Sequence, residues 1–181
     1  EYKNLIMKLA QNGNYTRVIM DVVYNHVMSA SASCFTKIMP KYYFRYDADW
    51  NLLDGSGCNN EVKSDATMMS KYIVDSCLWW AKEYKIKGFR FDLMGLLDNQ
   101  TMIDVYKDNK AIYNDIMVYG EPWTGGDSPL ESTTKADNLS NQRTVQASLS
   151  QPFFVGDYVL VGAFNDQIRN GIKGDNAPGT G

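Results

Sequence analysis

Asp21-Val-Val-Tyr-Asn-His26, Gly88-Phe-Arg-Phe-Asp-Leu-Met94 and Tyr119-Gly-Glu-Pro-Trp123 decide how this chain reads. Each is the end of a predicted β-strand that runs into polar or charged residues. Together they put one carboxylate on each of three successive strands, with an arginine beside one and a histidine beside another.

Working outward, residues 17–24 form an almost continuous β-branched and apolar run. Such a run predicts a strand buried on both faces, as in a parallel sheet. Before it, Tyr2, Leu5, Ile6 and Leu9 recur at helical spacing and Asn12-Gly13 supplies a stop. Met69, Ile73, Cys77, Trp80 and Tyr84 predict a helix over 65–84, with Ser64 or Asp65 as N-cap. Further strands are predicted over 86–92, 116–121 and 158–164, and a helix over 99–107. Residues 25–63 read as long and irregular, and 124–150 as polar and turn-rich. Strands alternating with helices imply parallel βαβ units, an α/β fold.

Two parallel architectures compete. A doubly wound sheet carries a glycine fingerprint at its first βα turn, and none is present. A (β/α)8 TIM barrel draws its chemistry from the C-terminal ends of several strands, which is the pattern here. A complete barrel takes about 250 residues, so about four strands predict part of one.

Composition removes several function classes. The 181 residues are 44% hydrophobic and 22% charged, ordinary for a globular protein. A net charge of −3, with no basic run, gives no electrostatic reason to bind nucleic acid. Apolar runs are only strand-length, which predicts no membrane span, and no signal-peptide pattern opens the chain. Cys34, Cys58 and Cys77 lack C-x-x-C spacing, against a disulfide framework or thiolate zinc. With His26 the lone histidine, an H-E-x-x-H site is excluded. Gly55-Ser-Gly57 leads into Cys-Asn-Asn without a lysine, so it is no phosphate loop.

Alternation puts Arg90 and Asp92 on one face of their strand and Phe89 and Phe91 on the other. The pair reads either as a structural ion pair or as a nucleophile kept ionised by its neighbour. Pro122 has no N–H for a ladder, so its strand ends near Glu121 and places that carboxylate at the mouth. Gly120 permits close backbone approach. Trp123 offers an apolar wall, and such a wall favours the protonated form that a general acid needs. The plainer reading is a strand-end glutamate beside a core tryptophan. A lone histidine is more often structural, but His26, with Tyr24 and Asn25, follows a buried strand where a substrate hydroxyl could be met. Asp21 lies deeper and is expected to brace Arg90 or nearby backbone. Asp92 followed by Glu121 on the next strand end suits cleavage of a glycosidic bond.

Residues 27–63 exceed the two to six residues of a usual βα connection. Phe35, Tyr42, Tyr43, Phe44, Tyr46 and Trp50 crowd that stretch, as a small local core, as stacking platforms for substrate, or as both.

As a set, these stretches resemble the α-amylase superfamily, glycoside hydrolase family 13, and within it the type I pullulanases. The likeness runs through Pro40-Lys-Tyr-Tyr-Phe-Arg-Tyr46, Gly55-Ser-Gly-Cys-Asn-Asn60, Tyr72-Ile-Val-Asp-Ser76 and Trp80-Ala-Lys-Glu-Tyr84. It continues in Gly88-Phe-Arg-Phe-Asp-Leu-Met-Gly95, Tyr119-Gly-Glu-Pro-Trp-Thr-Gly-Gly126 and Phe164-Asn-Asp-Gln-Ile-Arg169. The resemblance implies strands 3 to 6 of a TIM barrel, with residues 27–63 as an enlarged loop after strand 3. It implies Asp92 as nucleophile, Glu121 as general acid/base, Arg90 orienting the nucleophile and His26 contacting the sugar. Tyr24 and Trp123 are expected to touch substrate too, with Asp21 and Asn25 structural. The reaction implied is retaining hydrolysis of α-1,6 branch linkages in an α-glucan, with carboxyl groups roughly 5–5.5 Å apart. Leu93-Met94-Gly95 stands where α-1,4-cleaving relatives carry Ala-x-Lys-His, which favours debranching. No cofactor is required by this chemistry. A calcium ion near Asn25 is implied only by likeness to amylases, without a ligand cluster that demands it.

The departures also carry expectations. The family's third carboxylate, on a seventh strand, is not among these residues, so the 181 residues alone are expected to be inactive. Asn59 stands where pullulanases have glycine, and Asn14-Tyr15-Thr16 lengthens the entry to the first strand. The rivals are an isoamylase, glycogen-debrancher or neopullulanase relative, a non-catalytic glucan-binding protein and a truncated gene product. Intact Arg90, Asp92, His26 and Glu121 argue against the binding protein. Compartment is not written in these residues; a bacterial protein, cytoplasmic or secreted, is the working expectation.

Overall fold

Four short parallel strands lie side by side in chain order in a computed structural model that describes residues 1–11, 16–128 and 160–174. They are β1 (Ile19–Val22), β2 (Gly88–Phe91), β3 (Met117–Gly120) and β4 (Val161–Ala163). Helix α1 (Tyr2–Gln11) precedes β1, and α2 (Cys34–Ile38) and α3 (Thr67–Tyr84) lie between β1 and β2. A 3-10 turn (Met94–Leu96) and α4 (Asn99–Lys110) lie between β2 and β3, and α5 (Asp166–Lys173) follows β4. The α/β reading and the parallel pairing hold.

Strand register explains the two layers. Val22, Phe91, Gly120 and Ala163 form one row across the sheet, and Asp21, Arg90, Tyr119 and Gly162 form the row before it. Residues in one row share a face, and successive rows alternate. Phe89 and Phe91 are fully buried, with Val22, Val118 and Val161. They belong to one core with Met69, Ile73, Cys77 and Ala81 of α3 and Met102, Ile103 and Val105 of α4. α3 and α4 also pack on each other. Burying a Phe or Ile side chain stabilises by about 1.5–3 kcal/mol, and these contacts hold the helices on the sheet. Gly120 is required by closeness: a Cβ there would meet the Phe91 carbonyl at 2.6 Å and Met94 Cβ at 2.8 Å.

Several local expectations need correction. Among the described residues β1 is not buried on both faces: Ile19, Asp21 and the following Val23 are exposed, while Met20 is half-buried against the core and Val22 is buried. Of the apolar positions on α1 only Ile6 is buried, while Tyr2 and Leu5 face solvent. The N-cap of α3 is Ala66, without a side-chain bond. Ser64 and Asp65 are instead taken by Arg45, whose guanidinium reaches Ser64 Oγ at 3.3 Å and Asp65 Oδ1 at 2.6 Å. At α4 the cap is made by Asp98, which accepts from the Thr101 N–H at 3.0 Å. Such a cap is worth about 1 kcal/mol.

Residues 27–63 are a lobe with internal order. α2 and antiparallel bridges Phe44–Val62 and Tyr46–Leu52 organise it, with Tyr43 and Phe44 buried and Trp50 exposed. Asn59 has φ +68°, a left-handed conformation that Asn tolerates better than most residues, so it can replace a glycine. Of the fourth predicted strand, residues 158–159 lie outside the described residues, as do the Asn12-Gly13 stop, Asn14-Tyr15 and most of 124–150.

Candidate active site

The ladder continues one residue past the strands. Asp92 N–H donates to Val22 O, Glu121 N–H to Phe91 O and Phe164 N–H to Gly120 O, at 3.0, 3.0 and 3.1 Å. Asp92, Glu121 and Phe164 therefore form a last row on the same face as Arg90 and Tyr119, at the C-terminal edge of the sheet. Pro122 ends the ladder because it has no N–H to continue it.

One guanidinium joins the acidic groups. Arg90 Nη1 lies 2.9 Å from Asp21 Oδ1 and 3.1 Å from Asp92 Oδ1, while Nη2 bonds Glu121 Oε1. Arg90, Asp92 and Glu121 are 18%, 28% and 17% exposed, against 68% for Asp21. Burial opposes the arginine's charge, but its bonds to Asp21 and Asp92 and the charge of Glu121 raise its pKa overall. A forked, planar donor suits this bridging, which a lysine could not reproduce.

Each carboxylate has a second anchor. Asn25 Nδ2 donates to Asp92 Oδ2 at 3.1 Å and to the Asp92 carbonyl at 2.7 Å. Leu93 N–H donates to Glu121 Oε2 at 3.0 Å. Leu93 has φ +39°, costly for a bulky side chain, and that strain aims its N–H at the carboxylate. Because Asn25 presents its nitrogen to two acceptors, its oxygen must face His26 Nδ1, 2.6 Å away. His26 Nδ1 therefore carries the proton and Nε2 is left for another partner.

Phe164 forms a wall. The Arg90 guanidinium lies 5.6 Å from its ring centre, and Trp123 stacks on it at 6.1 Å with 27° between planes.

Asp21, Asn25, His26, Arg90, Asp92 and Glu121 are thus linked through hydrogen bonds and ion pairs, with Trp123 attached through Phe164. Tyr24 is not brought in. Its hydroxyl lies 2.7 Å from Ser76 Oγ on α3, its ring packs on Phe91 and Tyr72, and burial raises its phenol pKa. As the second residue past β1, it turns into the helix layer. The apolar wall expected at Glu121 is also replaced: its carboxylate meets Arg90 and Leu93 N–H, and Trp123 meets Phe164. Sequence reasoning missed Leu93, whose contribution is a backbone N–H, and Phe164 as a wall. Asn25, where the likeness to amylases implied a calcium ion, turns its amide nitrogen to Asp92 and its amide oxygen to His26. Among the described residues no group of three His, Cys, Asp or Glu could hold a metal, and no helix is long and apolar enough to cross a membrane.

No protein-family model matches the chain. It is 35% identical to a pullulanase of Bacillus subtilis over 175 residues, covering 97% of this chain and 22% of that protein. The solved pullulanase of Bacillus acidopullulyticus superimposes with a TM-score of 0.82 at 40% identity, covering 96% of this chain and 19% of that one. A Paenibacillus barengoltzii pullulanase, solved with maltohexaose and α-cyclodextrin, gives 0.82 and 40%, covering 96% and 24%. The chain thus spans about a fifth of the length of the curated relative. By sequence and by fold the chain matches a segment of these pullulanases, which supports a pullulanase-type fragment of a glycoside hydrolase family 13 protein.

Proposed function

We propose that these residues are the catalytic portion of a retaining glycoside hydrolase that cleaves α-1,6-glucosidic branch linkages in pullulan or in starch- and glycogen-derived dextrins. The observation that carries this is the bridging of Asp92 and Glu121, on adjacent strand ends, by the guanidinium of Arg90. In this reading β1 to β4 are strands 3 to 6 of a (β/α)8 barrel, and residues 27–63 are the lobe after strand 3. The sequential strand order supports it, since it lacks the reversal of a doubly wound sheet. That the Paenibacillus pullulanase was solved with maltohexaose supports an α-glucan as substrate.

The chemistry takes two displacements. Protonated Glu121 gives its proton to the glycosidic oxygen as the bond from C1 to that oxygen breaks, and an Asp92 oxygen bonds to C1. Glu121, now a carboxylate, takes a proton from water. The water oxygen attacks C1 and releases Asp92. Both Glu121 oxygens accept hydrogen bonds, from Arg90 and from the Leu93 N–H, and a carboxyl keeps acceptor capacity when it carries a proton. Arg90 and Asn25 aim Asp92, and His26 Nε2 is available to a sugar hydroxyl. Trp123 with Phe164 offers a flat apolar surface to a sugar ring. No cofactor takes part.

Product analysis on pullulan is the test. Cleavage at α-1,6 bonds releases maltotriose, first as the α-anomer because configuration is retained. Panose or isopanose would mean α-1,4 cleavage and reject debranching. Binding of branched dextrin without new reducing ends would reject the hydrolase.

A further inference from the structure

We propose that the buried Arg45–Glu61 pair is a positioning device for Glu121, an inference that rests on the hydrolase reading above. Arg45 is 6% exposed and Glu61 fully buried, and their Nη1–Oε1 distance is 2.6 Å. The pair lies in the lobe and holds both segments that flank Glu121. On one side, Ser128 Oγ donates to Glu61 Oε1 at 2.6 Å, anchoring the segment that leaves β3. Glu61 Oε2 accepts from the Gly55 N–H at 3.2 Å, and the Gly55 carbonyl in turn receives the N–H groups of Gly125 and Gly126 at 2.9 and 2.8 Å. The two backbones lie so close that a Cβ on Gly125 would come within 2.2 Å of the Ser56 carbonyl oxygen. On the other side, Arg45 Nη1 donates to the Leu96 carbonyl at 3.3 Å and so holds the 3-10 turn. That turn supplies the Leu93 N–H to Glu121 Oε2 and the Gly95 N–H to the Glu121 carbonyl, at 3.0 and 3.2 Å.

Glu121 therefore sits between two segments that meet at one ion pair. A buried pair is weak support for stability, because an apolar pair of similar volume often does as well. What an apolar pair could not supply is the directional set of bonds to Ser128 Oγ, Gly55 N–H and the Leu96 carbonyl. Glu61 and Arg45 touch no reacting atom in this scheme. They act through the placement of the carboxylate that gives up the proton.

The test uses the natural-length protein with Glu61→Gln and, as a milder change that spares the ion pair, Ser128→Ala. Each is assayed on pullulan and on a nitrophenyl α-maltotrioside, whose leaving group departs without a proton. Misplacing a reacting group by 1 Å costs about 10²-fold, so kcat on pullulan should fall by about 10- to 100-fold in Glu61→Gln and less in Ser128→Ala. KM on pullulan should stay within about twofold, and kcat/KM on the nitrophenyl substrate, which reports the first displacement alone, should lose several-fold less than kcat/KM on pullulan. Equal losses of kcat/KM on both substrates, or no loss in either variant when corrected for folded protein, would overturn the positioning role. A wild-type protein that cleaves neither substrate would overturn the hydrolase reading itself, and the two failures are thereby told apart.

Discussion

Replacing Arg90 with Met keeps most of the side-chain volume and removes the charge that joins three carboxylates. The bond to Asp21 counts for little, about 0–1 kcal/mol, because that carboxylate is 68% exposed. Asp92 and Glu121 are 28% and 17% exposed, and charge-assisted bonds to them are worth about 1.5 kcal/mol each, the low end of the range. The low end applies because Asn25 and Leu93 N–H stay behind as second donors, so neither carboxylate is stranded. Loss of the contact with Phe164 adds about 0.5 kcal/mol. Arg90→Met should therefore cost about 3.5–4.5 kcal/mol at pH 7, read as a lower urea midpoint at unchanged m-value. The raised pKa of Arg90 keeps it charged throughout the assay range. A loss below about 0.5 kcal/mol at pH 7 would refute the bridging argument.

Gly120→Ala should destabilise by about 1–3 kcal/mol, since its Cβ would collide with the Phe91 carbonyl, whereas Gly171→Ala in α5 meets nothing and should stabilise by about 0.5–1 kcal/mol. Thermal melts of both variants check the contrast, and equal effects would contradict the close approach at Gly120. Thiol reagents should label Cys34 and Cys58 in the folded protein and Cys77 only after unfolding, and mass spectrometry counts the adducts. Burial pushes the Cys77 thiol from its ordinary 9.0 up to about 12, so the stability that its neutral form contributes is whole below pH 9 and lost as pH climbs toward 12. Urea midpoints should fall over that window, less steeply in Cys77→Ala, and parallel curves would refute the assignment.

Much of this was legible in the chain because parallel strands impose a strict two-residue period. Gly88-Phe-Arg-Phe-Asp92 could only bury its phenylalanines by turning Arg90 and Asp92 to the opposite face, and Pro122 could only stop a ladder. What stayed hidden depends on contacts between distant residues. Ser64 and Asp65 have the chemistry of an N-cap, but Arg45, some twenty residues earlier, takes them, and local preference does not see that competitor. Tyr24 shares a segment with His26, yet Ser76 offers its hydroxyl a partner inside the helix layer. The run at 17–24 is apolar enough for a doubly covered strand, although in the described residues β1 has a single strand neighbour. The contribution of Leu93 is a backbone N–H, which leaves no mark in a sequence of side chains.

The most direct measurement compares pullulan turnover by the natural-length protein with that of its Asp92→Ala variant, both verified as folded. The wild type should release maltotriose and the variant none, because among the described residues Asp92 is the carboxylate held by both Arg90 and Asn25. Full turnover by Asp92→Ala would contradict the assignment of the nucleophile and the retaining mechanism built on it.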